Sequence, residues 1–179
     1  MEQLRREYPV DLTWVHFPLH PEIPAEGQSL ADLFKGRNLD VSRMKADMQQ
    51  RMADEGLEYG ERTHTYNSRL AQELGKWADT LEGGGAIHDA MFRAYFVDAR
   101  NVSDPEVLVQ IAESVGLPGD EAATVLRDRS FSDAIDADWQ LSRQYGVTGV
   151  PTFVAGRYGV VGAQPYDVLE SLIARVQEA

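Results

Sequence analysis

The chain has 179 residues, of which 29 are acidic, 17 are basic and none is cysteine. This length allows one domain, or one domain with a large insertion, and a hydrophobic content of 43% argues against disorder of the whole chain. The net charge of −12 repels phosphate backbones and anionic lipids, so we expect neither nucleic-acid nor membrane partners. The lack of cysteine excludes, within these residues, disulfides, thiolate metal sites and a cysteine nucleophile.

The first residues predict a short helix, a strand and a loop. Residues 1–7 are mostly charged, with Leu4 as the one internal apolar residue, and they read as a short helix. Residues 10–17, Val-Asp-Leu-Thr-Trp-Val-His-Phe, begin with alternating polarity and end apolar on both faces, which is typical of an interior strand. Three prolines and a glycine in residues 18–27 indicate a loop with extended geometry.

From about Ser29 to Tyr145 the apolar residues recur with the period of a helix. Ser29 and Ser103 are expected to cap helices, because each is followed three residues later by an acidic residue. The predicted helices are a short one from Ser29, then 41–55, 67–80, 86–98, 103–116, 120–127 and 130–145. The methionine stripe of the second of these helices (Val41, Met44, Met48 and Met52) is expected to face the core, as is Tyr145 at the end of the last.

The C-terminal segment changes character and predicts a hairpin followed by a helix. Residues 151–155 and 158–162 read as two strands, and Gly156-Arg157 joins them as a tight antiparallel turn. Pro165 is placed to open a final helix with an apolar face. The order strand, helical block, strand, strand, helix indicates an α/β protein.

No catalytic or metal-binding motif with a defined spacing is present. His16 and His20 straddle a strand end and Pro18, so a packing or surface role is expected for both. His64 lies in a polar cluster before a helix, and His88 is expected to be exposed. We therefore expect no metal, no cofactor and no catalytic side chain within the 179 residues.

One segment is distinctive, namely Gly146-Val-Thr-Gly-Val-Pro-Thr-Phe153. It resembles the cis-proline loop of the thioredoxin superfamily, in which a helix ends at glycine and a proline begins a strand. The segments Phe17-Pro-Leu-His-Pro-Glu22, Tyr66-Asn-Ser-Arg69, Phe92-Arg-Ala-Tyr-Phe96 and Gly162-Ala-Gln-Pro165 are similar to the DsbA-like family, specifically its FrnE branch. The resemblance extends over nearly the whole chain.

The resemblance implies a thioredoxin-like fold with a large inserted all-helical domain. Residues 1–28 and 146–179 would form the thioredoxin-like domain, and residues 29–145 the inserted helical domain. The family begins with a strand and a Cys-x-x-Cys motif at the start of a helix, and here the first strand, the motif and most of that helix are missing. We expect them to lie upstream of residue 1; the alternatives are that the sheet re-pairs or that a strand is borrowed from another chain.

The resemblance implies a protein disulfide oxidoreductase that acts by thiol–disulfide exchange. Val150 would offer backbone hydrogen bonds to an extended substrate, and Pro151 would be cis and face the redox pair. Phe17, Pro18 and Asn67 would line a cleft between the two domains. Since the chain has no cysteine, we expect it to be inactive in dithiol exchange as it stands.

Two other functions stay open. A glutathione-dependent isomerase of the 2-hydroxychromene-2-carboxylate type takes its thiol from glutathione and is compatible with the lack of cysteine. A non-catalytic peptide-binding module would keep only the binding face of the cis-proline loop. For the oxidoreductase, the partners implied are protein or peptide thiols and disulfides, with glutathione as a further candidate. A homodimer is compatible with the resemblance, and the dispersed acidic charge favours the cytoplasm.

Overall fold

The structure, a computed structural model, describes residues 2–36 and 40–177. The chain divides into two compact units. The first unit comprises Met1–Leu19 with Asp136–Ala179, and the second comprises His20–Ile135. None of the helices in the described ranges is both long and apolar enough to cross a membrane.

Helices outnumber strands in both units. In chain order the elements are α1 (Glu2–Glu7), β1 (Gln28–Ser29), α2 (Leu30–Leu33), α3 (Val41–Asp54), β2 (His64–Thr65), α4 (Arg69–Ala78), α5 (Ala86–Phe96), α6 (Pro105–Ser114), α7 (Gly119–Asp128), α8 (Ser132–Gln144), β3 (Thr152–Ala155), β4 (Tyr158–Val161) and α9 (Tyr166–Gln177). Every helix predicted from the sequence is present, with ends that differ by a few residues. The domain division into 1–28 with 146–179 and 29–145 stays a prediction.

The second unit has its hydrophobic core among α4, α5, α6 and α7. Each of these helices places apolar residues on one face, and the side chains of Leu74, Ile87 and Leu108 are fully shielded from solvent. Trp77 of α4 is almost completely buried in the same cluster. Burial of each such side chain stabilises the fold by about 1.5–3 kcal/mol, so this four-helix core is the main source of stability in the unit.

One carboxylate is completely buried beside that core. Glu73 of α4 accepts hydrogen bonds from Arg69 Nε at 2.6 Å and from Arg129 Nε and Nη2 at 2.7 and 2.6 Å. Arg69 also donates to the Ser132 carbonyl at 2.8 Å, which ties the start of α8 to α4. Burial alone raises the pKa of Glu73, but the hydrogen bonds from Arg129 and Arg69 outweigh it and hold the pKa below its usual value.

The segment 10–17 does not form a strand, and that prediction is wrong. The Val10 N–H bonds locally to the Tyr8 carbonyl at 2.8 Å, and the His16 N–H bonds to the Asp138 carboxylate at 3.1 Å. A strand is stable only where a neighbouring strand pairs with its backbone, and in the described ranges no strand pairs with this segment. The segment therefore has a strand-like sequence but, in the described ranges, no neighbouring strand with which to form a ladder.

The methionine stripe of α3 does not face a core, which corrects the expectation from its spacing. Met44 and Met48 are 40% and 44% exposed, and no residue of α3 is fully buried. The helix is held instead by polar contacts to Glu61 from Lys45 and from Gln49. Helical period alone cannot distinguish a buried apolar stripe from an exposed one.

Tyr145 is also exposed, at 57%, rather than buried as predicted. The inward positions of α8 are Ile135, Asp138 and Ser142, all buried and separated by three and four residues. The periodicity of the helix was thus correct, but two of its inward positions are polar. An apolar pattern could not show them.

Of the two predicted serine caps, one is confirmed. Ser29 Oγ accepts the Asp32 N–H at 3.0 Å at the start of α2. At α6 the cap is Asp104, whose Oδ1 accepts the Glu106 N–H at 2.9 Å, so the assignment to Ser103 is wrong. The buried Ser103 hydroxyl donates instead to the Ala25 carbonyl. Asp outcompetes Ser here because it is adjacent to the first helical residue, where a cap is needed.

The second unit contains a short antiparallel ladder that the sequence does not predict. It pairs β1 with β2 through Gln28↔Thr65 and Ser29↔His64. Each strand has only two residues, too few for alternation of polarity to be visible in the sequence.

The predicted C-terminal hairpin is confirmed. Strand β3 pairs antiparallel with β4, with Thr152 opposite Val161 and Ala155 opposite Tyr158. Gly156 takes a φ of 58° in the two-residue turn, a conformation that glycine adopts without steric cost. The hairpin packs against α9, whose buried residues are Leu169 and Leu172.

Two tyrosine–carboxylate pairs attach α1 to α9. Tyr8 Oη donates to Glu170 Oε1 at 2.5 Å, and Tyr166 Oη donates to Glu7. The hydrogen bond to Glu7 raises the pKa of Tyr166 to about 12, and the same bond lowers the pKa of Glu7. Leu4 of α1 is buried, and the two pairs hold the helix on which it lies.

The attachment of α1 is therefore expected to depend on pH. Because the pKa of Glu7 is lowered, its contribution is present above the ordinary value of 4.5 and is lost as the pH falls through the folded value. Because the pKa of Tyr166 is raised, its contribution is present below 10 and is lost as the pH rises toward about 12. Tyr166→Phe should remove from the ultraviolet titration the tyrosine that ionises near pH 12. It should also raise the pKa of Glu7, as measured by NMR. Tyr145→Phe is the control, and an unchanged Glu7 titration in Tyr166→Phe would contradict the pairing.

Candidate functional site

The loop between α8 and β3 begins at Gly146 and leads directly into the hairpin. Gly146 N–H bonds to the Arg143 carbonyl at 3.0 Å, and Val147 N–H bonds to the Ser142 carbonyl at 3.0 Å. Thr152 Oγ1 donates to the Gly149 carbonyl at 2.7 Å and closes the loop on itself. These bonds fix the backbone on either side of Val150.

Val150 and Pro151 lie at the exposed end of this loop. The peptide bond between them is cis. The Val150 side chain is 52% exposed, and within residues 2–36 and 40–177 neither its N–H nor its C=O has a hydrogen-bond partner. The Pro151 carbonyl accepts the Gly162 N–H at 2.7 Å and so continues the ladder of the hairpin.

The register of the hairpin determines which backbone groups of β3 remain open. Pro151 bonds to Gly162, and in an antiparallel pair every second residue bonds across the ladder, so Phe153 and Ala155 point toward β4. Thr152 and Val154 therefore direct their N–H and C=O groups to the other side. In the described part of the chain β3 pairs with β4 alone. We call the open backbone groups of Val150, Thr152 and Val154 the β3 edge.

The hairpin is also open on one face. Val154 and Val161 are 43% and 57% exposed, and they share a face because Thr152 lies opposite Val161 in the ladder. Phe153 and Val160 lie on the other face, which is the more buried one, and the hairpin packs against α9. The β3 edge is therefore bordered by exposed apolar side chains on one side of the sheet.

Phe17 and Pro18, also predicted as site residues, lie in the same compact unit as Val150. Both are half-buried, and their neighbour Leu19 is 51% exposed. Asp138 of α8 holds the backbone just before them. Its Oδ2 accepts the His16 N–H at 3.1 Å and also contacts His16 Nδ1 at 3.0 Å. Asp138 thus positions the end of the 10–17 segment.

Asn67, the fifth predicted site residue, lies in the second compact unit. Its amide nitrogen donates to the Pro21 carbonyl at 3.1 Å and to the Ile23 carbonyl at 2.9 Å. Its Oδ1 accepts the Arg69 N–H at 2.9 Å at the start of α4. These three bonds fix the proline-rich loop to the helix, and they engage both ends of the amide.

The sequence carries only a weak signal for the role of Asp138. This residue occupies an inward position of α8 between the buried Ile135 and Ser142. A carboxylate is rarely buried without a partner, so an acid on an inward helix position suggests a buried contact. The sequence alone does not say which contact, because His16 is 122 positions away.

The described residues hold no group of three or more histidine, aspartate or glutamate side chains that could bind a metal ion. The histidines are dispersed. His20 lies beside Glu22 at 3.2 Å, His64 beside Thr63 at 2.9 Å, and His88 beside Asp79 at 2.7 Å.

These features define a thioredoxin-like fold whose loop before β3 presents an exposed backbone edge. Residues 1–174 match the DSBA-like thioredoxin domain family, and the chain belongs to that family.

Individual similar proteins agree with this assignment. A probable DsbA oxidoreductase from Streptomyces coelicolor is 31% identical, with a TM-score of 0.81 over 89% of this chain and 72% of that one. The uncharacterized protein YwbO of Bacillus subtilis (strain 168) is 31% identical over 116 residues, which is 64% of this chain. The chain spans 58% of the length of that relative.

Two more distant structures share the fold. A 2-hydroxychromene-2-carboxylate isomerase is 19% identical, with a TM-score of 0.73 over 99% of this chain and 86% of that one. The cytosolic disulfide reductase DsbM from Pseudomonas aeruginosa, solved with glutathione, is 22% identical, with a TM-score of 0.55 over 77% of this chain and 78% of that one.

Proposed function

We propose that the chain serves thiol–disulfide exchange of the DsbA/FrnE type by binding an extended polypeptide along the β3 edge. The observation that carries the proposal is the exposed backbone of Val150, which has no partner in the described ranges and continues into the open groups of Thr152 and Val154. Such an edge adds a strand from a bound peptide through main-chain hydrogen bonds. The similarity to a probable DsbA oxidoreductase supports the reaction class.

In this proposal the chain supplies binding and not the reacting sulfur. The 179 residues contain no cysteine, and the attacking group in disulfide exchange is a thiolate. The thiol must therefore come from a group outside these residues. The remaining parts of the proposal are protein or peptide thiols and disulfides as partners, a cytoplasmic location, and separate domains at 1–28 with 146–179 and at 29–145.

Proline at position 154 is expected to weaken peptide binding. Val154→Pro removes one outward N–H from the β3 edge and leaves the bonds from Phe153 and Ala155 to β4 in place. Loss of one such hydrogen bond should lower the affinity for a reduced, S-alkylated unfolded polypeptide roughly 3- to 10-fold, as measured by fluorescence anisotropy. Val154→Ala is the matched control because it shortens the side chain but keeps the N–H. Equal affinities for the proline and alanine variants would argue against binding through the backbone edge.

The second expectation concerns activity. In an insulin-reduction assay with dithiothreitol, the 179-residue chain should give the uncatalysed rate, because the exchange needs a protein thiolate that the chain lacks. Turnover above the uncatalysed rate, in a preparation shown by mass spectrometry to contain no other protein, would contradict the requirement for a protein thiolate.

A second candidate function is a glutathione-dependent isomerase, favoured by the lack of cysteine. In that class the thiol belongs to bound glutathione, so a protein without cysteine can still act. The fold similarity to a 2-hydroxychromene-2-carboxylate isomerase covers 99% of the chain. Calorimetric titration distinguishes the two, because saturable binding of glutathione but not of unfolded polypeptide would favour the isomerase. Binding of polypeptide alone would favour the exchange role.

A further inference from the structure

The sulfur atoms of the chain are all thioethers. The sequence contains five methionines and no cysteine. Three of the methionines, Met44, Met48 and Met52, lie on one stripe of α3. We propose that Met44 and Met48 form a reversible oxidation site on the surface of α3.

The first argument for this site is access. The side chains of Met44 and Met48 are 40% and 44% exposed, whereas Met52 is half-buried. Met91 of α5 is also partly buried, but it packs against the hydrophobic core of the second unit. Oxidation of methionine follows exposure, so an oxidant reaches the first two thioethers without any opening of the fold.

The second argument is that α3 tolerates the change. Oxidation converts a flexible apolar side chain into a polar one, which disrupts a core but not an exposed surface. No residue of α3 is fully buried, and the contacts that Lys45 and Gln49 make to Glu61 do not involve the thioethers. The expected result is a change of surface polarity with the fold retained, which is the property a reversible modification requires.

The reaction needs a hydroperoxide as its second reactant. A lone pair of the methionine sulfur attacks the terminal peroxide oxygen, an S–O bond forms and the O–O bond breaks. The remaining hydroxide or alkoxide leaves and takes up the proton of the transferred oxygen, which gives water or an alcohol. The sulfur loses two electrons and the peroxide gains them. In the reverse direction a methionine sulfoxide reductase returns two electrons from a dithiol, which becomes a disulfide, and the oxygen leaves as water.

Peptide mapping after treatment with hydrogen peroxide tests the proposal. Cleavage before aspartate separates Met44 in 40–46, Met48 and Met52 in 47–53, and Met91 in 89–97. Fragmentation spectra then distinguish Met48 from Met52. Met44 and Met48 should be oxidised roughly fivefold or more faster than Met91, because the core shields the latter.

Three further measurements complete the test. Helical circular dichroism at partial oxidation should stay unchanged while Met44 and Met48 react, and a methionine sulfoxide reductase should return the mass to its starting value. In the double variant Met44→Leu, Met48→Leu the fast phase of methionine oxidation, followed as the gain in mass, should disappear. Equal oxidation rates at Met91 and Met44, or loss of helical signal in step with the fast phase, would overturn the proposal.

Discussion

Replacement of Glu73 by alanine is expected to lower the free energy of unfolding by about 3–5 kcal/mol, because it removes the buried carboxylate that neutralises the guanidinium groups of Arg69 and Arg129. Glu73 is completely shielded from solvent, and the side chain of Arg69 is only 16% exposed. Arg129 loses both of its hydrogen bonds to the same carboxylate. The measurement is urea unfolding followed by circular dichroism at neutral pH.

The matched control for this variant is Glu58→Ala. Glu58 pairs with Arg93 at 2.6 Å, but both side chains are at least 60% exposed, and exposed pairs contribute about 0–1 kcal/mol. Both variants remove a glutamate that pairs with arginine, so the difference between their losses of unfolding free energy reports the effect of burial. A loss in Glu73→Ala no larger than that in Glu58→Ala would contradict the importance of the buried network. Because the pKa of Glu73 is lowered, its contribution should also fade as the pH falls below the ordinary value of 4.5.

Replacement of Asp138 by alanine is expected to cost about 2–3 kcal/mol and to loosen the end of the 10–17 segment. The carboxylate holds both the His16 N–H and the His16 ring, and hydrogen bonds to charged groups contribute about 1.5–3 kcal/mol. Removal of the carboxylate also takes away an acceptor of the partly buried His16 N–H. The local readout is the exchange rate of the His16 amide proton by NMR, which should rise.

Asp138→Asn separates charge from geometry. The asparagine oxygen can still accept the His16 N–H, so this variant should keep most of the amide protection while losing part of the stability. Unchanged protection of the His16 amide in Asp138→Ala would show that the carboxylate does not hold the segment.

Most helices could be predicted because their determinants are local. Ser29 with Asp32, and Pro105 after Asp104, mark helix starts within three residues of the chain. Gly146 and the Gly156-Arg157 turn mark the loop and the hairpin in the same way. The α/β order followed from these patterns, and the DsbA-like family from the resemblance of the cis-proline loop and several other segments to that family.

The candidate site could be predicted only in part. The loop residues Val150 and Pro151 stand out because of their unusual sequence context. Asp138 could not be found in the same way, since its role depends on a contact with His16 that is 122 positions away. The exposure of Met44 also depends on which elements cover α3, and periodicity carries no information about that.

By itself, the sequence determined where the helices and the hairpin lie, because propensity, capping and turn formation depend on a few neighbouring residues. It also showed directly that the chain contains no thiol. The tertiary structure alone decided that, among the residues it describes, 10–17 form no ladder and the β3 edge is open. Pairing of strands requires backbone partners from distant parts of the chain, and a strand-like sequence without such a partner remains unpaired. The same dependence on distant neighbours determined which polar side chains, Glu73 and Asp138 among them, became buried.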